Sequence, residues 1–276
     1  MEKVLKTFNL ADYSVVSFQH LNTFEVRSKQ RIPQNAASVI AILFPYYNKC
    51  TQQRNISTYC AVSDYHIVVM AQLKSICEAL SEKYPDNQFV PFVDSSPIDE
   101  VDMAVKAGLG VKGANSLLIT EKYGSFVFIG EIVTDLQLDG VLNEYKSCAQ
   151  CGLCAKHCPG GAVGKTEEKG AQHSCITTER CASFISQKKQ ELTAEERAIL
   201  KKAKTVFGCD ICQMVCPHNK KVLAGDEIAQ QGNTLFCDDV FDCVTAENVE
   251  AVYKDRPFGF RGLKVLQRNI EIYNEE

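Results

Sequence analysis

Two short cysteine runs constrain this chain more than any other feature of its sequence. The first run has the spacing C-x2-C-x2-C-x3-C before a proline and comprises Cys148, Cys151, Cys154 and Cys158. The second has the spacing C-x2-C-x3-C before a proline and comprises Cys209, Cys212 and Cys216. In runs of this kind three cysteines wrap one [4Fe–4S] cube, and the proline-flanked cysteine reaches the neighbouring cube. The spacing therefore predicts two cubes with crossed ligation.

Crossed ligation assigns the cysteines to two sets. The first cube is expected to take Cys148, Cys151, Cys154 and Cys216. The second cube receives Cys158, Cys209 and Cys212 and lacks one ligand, because Val206 stands where a symmetric ferredoxin would have a cysteine. The eighth thiolate must come from Cys181 or Cys175. We favour Cys181, because it precedes a segment, 182–192, that could form a helix returning the chain to Cys209.

The number of cysteines and the absence of a secretion signal point to the same chemistry. The chain has 14 cysteines in 276 residues, and its first residues lack the apolar core of a signal peptide. We therefore expect a cytoplasmic protein, in which clustered cysteines bind metal or do redox work more often than they form disulfides. Zinc is the alternative metal, but the proline-terminated spacing fits cubes better. No chemistry is assigned to the remaining cysteines, which are Cys50, Cys60, Cys77, Cys175, Cys237 and Cys243.

The hydropathy, net charge and glycine motifs of the chain argue against several other classes of protein. No apolar stretch reaches the roughly 20 residues of a membrane helix. The net charge of −4 argues against a broadly basic nucleic-acid surface. No G-x-G-x-x-G follows a strand and no G-x-x-x-x-G-K-[ST] is present, which argues against a Rossmann dinucleotide site and a P-loop.

The first half of the chain predicts an α/β (α+β) domain. Residues 37–47 and 88–94 have the pattern of buried strands, and residues 56–82 carry apolar side chains at helical spacing. We expect a further helix capped by Ser96 with Pro97 at its first position, then a hairpin from 116–120 and 125–133. The polar stretch 164–173 is predicted to be a surface loop. The domain boundaries follow: an α/β domain at 1–145, a ferredoxin-like two-cluster module at 146–225, and a helical or irregular tail at 226–276 that packs back on the core.

Several sequence blocks together resemble one enzyme family. CAQCGLCAKHCPGGAV, CASFISQKK and GCDICQMVCPHN in the cysteine-rich part are accompanied by ILFPYY, SDYH, FVDSSPIDE, AGLGVKGANSLLIT and YGSFVFIGEIVTD in the first half. These blocks, in this order, resemble the epoxyqueuosine reductases, cobalamin-dependent iron–sulfur enzymes related in chemistry to reductive dehalogenases. The resemblance covers roughly residues 35–220.

The resemblance implies an activity and a proton donor. Family members carry a base-off corrinoid on the first domain, with cobalt near the first cube, and reduce epoxyqueuosine to queuosine at the tRNA wobble position. Asp94 matches the family's acid and is the last residue of a predicted strand. We expect burial there to raise the pKa of its carboxyl, which suits a general acid. A reduced flavodoxin or ferredoxin-type protein is the expected electron donor.

The resemblance also indicates where the corrinoid could be contacted. Candidate contacts are Tyr65, His66, Asp94, Lys112, Ser116 and Ser125. No histidine–cobalt bond is expected, because the histidine-ligated motif D-x-H-x-x-G would need a glycine where this chain has Val69. The family's usual G-K-N is Gly113-Ala114-Asn115 here, so Lys112 is a possible substitute for the missing lysine.

Two other functions remain open at this point. Longer family members have a C-terminal helical-repeat domain that grips tRNA, and this chain is expected to be a short form, so a corrinoid iron–sulfur reductase of a small molecule is one alternative. A ferredoxin-like electron carrier is the other. The basic segments 201–202, 219–221 and 256–268 are either a local basic patch or solvated faces. A monomer is expected.

Overall fold

The computed structural model describes residues 1–10, 12–47, 54–144, 146–168, 171–225, 241 and 243–275, with the backbone alone for 165–168 and 171–174. Cys50 and Cys237 lie outside the described residues. The strands are β1 Tyr13–Ser17, β2 Ser38–Pro45, β3 Phe89–Val93, β4 Val111–Lys112, β5 Leu118–Ile119, β6 Val127–Thr134, β7 Val163–Glu168 and β8 Ala171–Ile176. The α-helices are α1 Glu2–Thr7, α2 Tyr65–Lys83, α3 Glu100–Lys106, α4 Leu153–His157, α5 Ala182–Ser186, α6 Ala194–Ala203, α7 Ile211–Met214, α8 Lys220–Leu223, α9 Val249–Val252 and α10 Leu263–Asn274. None of these helices combines the length and apolarity needed to cross a membrane.

A four-stranded sheet organises the first half of the chain. Its order is β1-β2-β6-β3, and all three pairings are antiparallel. Every residue of β2 is buried, so both faces of the sheet are covered. Alternate residues of β2 serve different cores: Ile40 packs with α1 and α2, whereas Val39 packs with α3. The strand predicted at 37–47 is therefore confirmed, and the mixed helix and sheet class with it.

Helix α2 is shorter than its predicted span. It begins at Tyr65, because the Asp64 carboxylate accepts a hydrogen bond from the backbone N–H of His66 and caps the helix. The residues before it instead pair with the second half, where Ile56 forms a parallel bridge to Phe207. The predicted apolar stripe is confirmed, since Val69, Leu73, Ile76 and Leu80 are all buried against the sheet.

The turn after β3 differs from the prediction. Helix α3 is capped by Asp99, whose side chain accepts a hydrogen bond from the N–H of Asp102. Ser96 is not a helix cap; its hydroxyl donates to the carboxylate of Glu131. The chain remains extended past Pro97 because Ile98 forms an antiparallel bridge with Thr23, which lies in the segment between β1 and β2.

The predicted hairpin and the predicted loop were also wrong. Strand β5 pairs with β4, whereas β6 pairs with strands of the central sheet. Between β5 and β6, the described turn contains a single bridge, from Thr120 to Gly124. Gly124 has a φ of +56°, and a Cβ there would lie 2.0 Å from the side-chain oxygen of Asn219. Residues 164–168 and 171–173 do not form a loop, because they belong to β7 and β8, which pair in antiparallel fashion.

The tail beyond 243 packs on the cysteine-rich part and on the segment before α2. Val249, Phe258, Leu266 and Ile270 share an apolar cluster with Ile56 and Phe207. The arginines of the basic run 256–268 are largely committed to this packing: Arg256 is buried and donates to the backbone oxygen of Ala61. Arg268 donates to backbone oxygens of the segment after α5. This run is therefore not a free basic patch.

A buried carboxyl lies under the turn that follows β3. Glu131 is fully buried in the middle of β6, opposite Phe92. Its Oε1 has no hydrogen-bond partner in the described part of the chain, while its other oxygen accepts from Ser96. Burial raises the pKa of this carboxyl to about 8.

We expect Glu131→Gln to stabilise the protein at alkaline pH. A carboxyl whose pKa is raised by folding contributes stability that is complete below about pH 4.5 and is lost as the pH rises through about 8. The variant should therefore be more stable than the parent at about pH 8.5, by several kcal/mol, with the difference disappearing below about pH 4.5. Anaerobic urea unfolding across this pH range measures it. Parallel pH profiles for parent and variant would contradict the expectation.

Candidate active site

The structure brings together the four cysteines expected for the first cube. Cys154 and Cys216 each interact electrostatically with Cys148 and Cys151. All four line one small hollow, which is closed by residues of the β4–β5 turn and by His218. The sulfur of Cys148 accepts a hydrogen bond from the N–H of Ala114 at 3.3 Å. Cys151 is the exposed member of this set.

The second set also assembles, with Cys181 as its fourth member. Cys209 interacts electrostatically with Cys158 and Cys181, and Cys212 interacts with Cys209 and Cys181. Burial raises the pKa values of Cys209 and Cys212 to about 12. Thiolates at these positions would need a cationic metal centre beside them. Cys175 instead lies on β8, paired in register with Gly164.

The arrangement of the sulfurs suits clusters better than single ions. Within the described ranges, no three His, Cys, Asp or Glu side chains converge as the ligands of one metal ion do. A structural zinc ion requires its thiolates about 2.3 Å from one centre, whereas a cube holds each thiolate on a different iron atom. The four cysteines of the first set line a hollow, as the ligands of a cube do.

A cavity of about 670 Å³ opens between the end of the sheet and the cysteine-rich part. Its walls come from α2, the end of β3, β6, α5 and the C-terminal tail, and its lining includes Tyr46, Tyr59, Tyr65, His66, Asp94, Glu100, Ser125, Phe128, Ser183, Gln187, Phe260 and Arg261. This volume is in the range of cofactor and substrate cavities.

The second cysteine set is the one that borders this cavity. Ser183 and Gln187 line it, and they follow Cys181 directly in the chain. Tyr46, another lining residue, interacts electrostatically with Cys212. The hollow of the first set shares no described lining residue with the cavity. The expectation that the cobalt lies near the first cube stays a prediction, because no cysteine of either set is among the described lining residues of the cavity.

Asp94 stands at the end of β3 with a backbone φ of +60°, a conformation that non-glycine residues rarely adopt. The backbone is held there by a hydrogen bond of 2.6 Å from the N–H of Ser95 to the oxygen of Val93. About half of the Asp94 side chain is exposed, and its Oδ2 lies 3.3 Å from Nε2 of His66. The strained backbone thus aims the carboxylate into the cavity rather than along the strand.

His66 links Asp94 to a second carboxylate. Its Nδ1 lies 2.7 Å from Oδ1 of Asp64, and its Nε2 faces Asp94. The hydrogen bond with Asp64, followed by that with Asp94, raises the pKa of His66 to about 9. The hydrogen bond from His66 lowers the pKa of Asp94, outweighing the opposite effect of burial. The expectation of a raised pKa for Asp94 was wrong, because sequence reasoning did not place a cation beside it.

Four of the six predicted corrinoid contacts line the cavity: Tyr65, His66, Asp94 and Ser125. The hydroxyl of Ser125 is already engaged, since it donates to Gln213 and accepts from Asn219. Lys112 and Ser116 are not among the lining residues. Lys112 lies on β4, where its backbone pairs with residues 146–148, and Ser116 occupies the β4–β5 turn at a φ of +62°.

Sequence reasoning missed the contribution of the tail. Arg261 and Phe260 line the cavity, and the guanidinium of Arg261 lies 4.4 Å from the ring centroid of Phe260. Arg261 donates to Gln187 at 3.2 Å, while its Nε is buried and has no hydrogen-bond partner among the described atoms. The basic run 256–268 was visible in the sequence, but nothing in it indicated which arginine reaches the cavity that Asp94 lines.

Two family models match the chain. A 4Fe-4S double cluster binding domain matches residues 147–219, which contain all eight cysteines of the two sets. A model described as epoxyqueuosine reductase QueG matches residues 27–95, which contain Tyr65, His66 and Asp94. The chain therefore carries an iron–sulfur double-cluster domain.

Curated relatives extend this match over nearly the whole chain. The epoxyqueuosine reductase of Cyclobacterium marinum is 32% identical over 263 residues, covering 92% of this chain and 82% of that protein. The epoxyqueuosine reductase of Lactococcus garvieae is 33% identical over 214 residues, covering 74% of this chain and 58% of that protein.

Solved structures share the architecture. The epoxyqueuosine reductase of Streptococcus thermophilus superposes with a TM-score of 0.77 at 22% identity, covering 99% of this chain and 79% of that one. An epoxyqueuosine reductase solved with an epoxyqueuosine-modified tRNA-Tyr stem loop gives a TM-score of 0.75 at 22% identity, covering 99% and 80%. Together with the sustained 32% identity to a relative of similar length, these likenesses show that the chain belongs to the epoxyqueuosine reductase family.

Proposed function

We propose that this protein reduces epoxyqueuosine to queuosine in tRNA. The observation that carries the proposal is a carboxylate–imidazole–carboxylate series, Asp94–His66–Asp64, facing a cavity that borders a set of four cysteines. Reducing an epoxide to an alkene takes two electrons and two protons and releases water. Reduced clusters held by the two cysteine sets would supply the electrons, and the Asp94 series would supply protons at the same cavity.

The two cubes are proposed to be ligated in the crossed manner that the sequence predicts. Cys148, Cys151, Cys154 and Cys216 would hold the first. Cys158, Cys181, Cys209 and Cys212 would hold the second. Electrons would enter at the first cube, whose Cys151 is exposed, and leave from the second, which borders the cavity. A small reduced carrier of the flavodoxin or ferredoxin type remains the proposed donor.

A corrinoid is the proposed cofactor of the 670 Å³ cavity. Apolar side chains such as Val93 and Ile129 line it beside polar groups, which suits a broad ring edged with amides. The buried, unpartnered Nε of Arg261 offers a hydrogen bond to an amide oxygen. The chemistry a corrinoid supplies when bound is low-valent reduction of a carbon–oxygen bond. Both ring nitrogens of His66 face carboxylates, which supports a corrinoid held without a histidine ligand.

Asp94 and His66 are proposed to deliver the proton to the departing oxygen together. At neutral pH the lowered pKa of Asp94 leaves that carboxyl ionised, while His66 holds a proton because its pKa is about 9. Asp64 fixes the ring through Nδ1 and stabilises its positive charge. As negative charge grows on the epoxide oxygen, Asp94 would pass on the proton that His66 gives it.

The ligand assignment predicts distinct outcomes for two neighbouring cysteines. Cys181→Ala should lower the iron content from about eight to about four per chain, because a cube that loses one of four thiolates is held poorly. Cys175→Ala is the matched control and should keep about eight. Iron analysis with electron paramagnetic resonance of the anaerobic, reduced proteins checks this. Loss of a cube from the Cys175 variant alone would reverse the assignment.

The proposed activity predicts a strong dependence on Asp94. Incubated anaerobically with epoxyqueuosine-containing tRNA, cobalamin and a strong reductant, the reconstituted protein should form queuosine, measured by mass spectrometry of the nucleosides. Asp94→Asn should slow turnover about a hundredfold or more, the scale of a lost proton donor, with iron and bound corrinoid unchanged. Asp86→Asn, an exposed loop change, is the control.

Two results would count against the proposal. No product from intact protein that binds corrinoid would turn the assignment toward a small-molecule substrate. Absence of any corrinoid binding would instead favour a simple electron carrier.

The proton series predicts loss of activity at alkaline pH. Because folding raises the pKa of His66 to about 9, the ring is protonated below that value and loses its proton as the pH rises through it. We expect single-turnover rates to fall above about pH 9. His66→Gln should be slower, by about tenfold or more, and should lack this descending limb. An unchanged limb in the variant would show that another group sets it.

A further inference from the structure

A second cavity adjoins Asp94. Its volume is about 740 Å³, and its lining consists of Val26, Arg27, Ser28, Gln30, Arg31, Asp94, Ser95 and Ser96. Of all described residues, Asp94 alone lines both this cavity and the 670 Å³ cavity. The carboxylate therefore stands between a space suited to a cofactor and a second, separately lined space.

The wall of the second cavity is fixed to the Asp94 turn at two places. The N–H of Phe24 donates to the oxygen of Pro97 at 2.7 Å, and the N–H of Asp99 donates to the oxygen of Asn22 at 3.2 Å. Seven residues after Phe24, Arg31 donates to the oxygen of Pro91 at 2.7 Å and lies over the ring of Phe92. The 3₁₀ turn Arg27–Arg31 is thus anchored on both sides of the strand end that carries Asp94.

The charges on this wall are not equivalent. Arg31 is committed to β3, and Lys29 is paired with Glu25. Arg27 is exposed and has no hydrogen bond or ion pair with any described residue. It is therefore the guanidinium on this wall that is available to a ligand. Serines and a glutamine supply the other polar groups, while Val26 and Phe24 expose 46% and 52% of their surface at the edge.

We propose that this second cavity seats the nucleotide that flanks the substrate nucleoside in the RNA, with Arg27 bound to its phosphate. The proposal rests on the proposed function. A guanidinium pairs with phosphate oxygens through two parallel hydrogen bonds, and an exposed aromatic ring such as that of Phe24 can stack on a base. Serine and glutamine side chains donate to sugar and phosphate oxygens. A ligand in this cavity meets Asp94 from a side that a cofactor in the first cavity leaves free.

The test is the affinity of an RNA that need not react. A synthetic anticodon stem-loop of a queuosine-accepting tRNA, labelled with fluorescein, is titrated with the reconstituted protein at several salt concentrations. Arg27→Gln should raise Kd about fivefold to tenfold and reduce the slope of log Kd against log salt by about 0.7 to 0.9, the value for one lost phosphate contact. Lys74→Gln, which removes an exposed charge from α2, is the matched control and should change neither quantity.

Turnover measurements distinguish a failure of this inference from a failure of the proposed function. With epoxyqueuosine-containing tRNA, Arg27→Gln should raise KM and leave kcat unchanged, and iron content should equal that of the parent. An Arg27 variant with parental Kd and salt slope overturns the inference even if queuosine forms. A parent that binds no stem-loop overturns it as well. Arg27-dependent, salt-sensitive binding by a protein that fails to turn over upholds the nucleotide site and counts against the proposed reaction instead.

Discussion

Two buried amides, Gln213 and Asn219, hold the second cysteine run against the sheet. Gln213 accepts from the hydroxyls of Ser125 and Tyr46 and donates to Asp210, while Asn219 accepts from the N–H of Ser125 and donates to its hydroxyl. All of these polar groups are removed from water, so each must find its partner inside the protein. Any displacement of the cysteine run would leave several of them unpaired, and the network therefore fixes the distance between the second cysteine set and the cavity.

Hydrogen bonds between polar groups also position the residues on the other side of the cavity. The positive φ of Asp94 at the end of β3 orients its carboxylate. The turn after Asp94 is tied to the buried Glu131 by the hydroxyl of Ser96. His66 is oriented by Asp64, which also caps the helix that carries it. The helix cap and the proton series thus share one carboxylate, so the start of α2 and the chemistry of the site are specified by the same interaction.

The two cavities beside Asp94 are each lined in part by a segment remote from it in sequence. The tail contributes Arg261 and Phe260 after packing on Phe207 and Ile56, and the first half contributes its 3₁₀ turn next to Asp94. The proposed RNA contact and the proposed cofactor contact are therefore both arginines on short, irregular segments. Such segments carry no periodic signal, and their position is decided by what they pack against.

The sequence by itself predicted two cysteine sets for iron–sulfur clusters, because the spacing of thiolates on a tight loop is a local property, and it left two candidates, Cys181 and Cys175, for the eighth ligand. It also determined the buried strands and the apolar face of α2, whose periodicities are local as well. Only the tertiary structure decided that β6 separates β2 from β3, that the second set borders the cavity, and that a protonated imidazole lowers the pKa of Asp94. These depend on contacts between residues far apart in the chain, and on the electrostatic effect of one side chain on another, which no spacing along the sequence encodes.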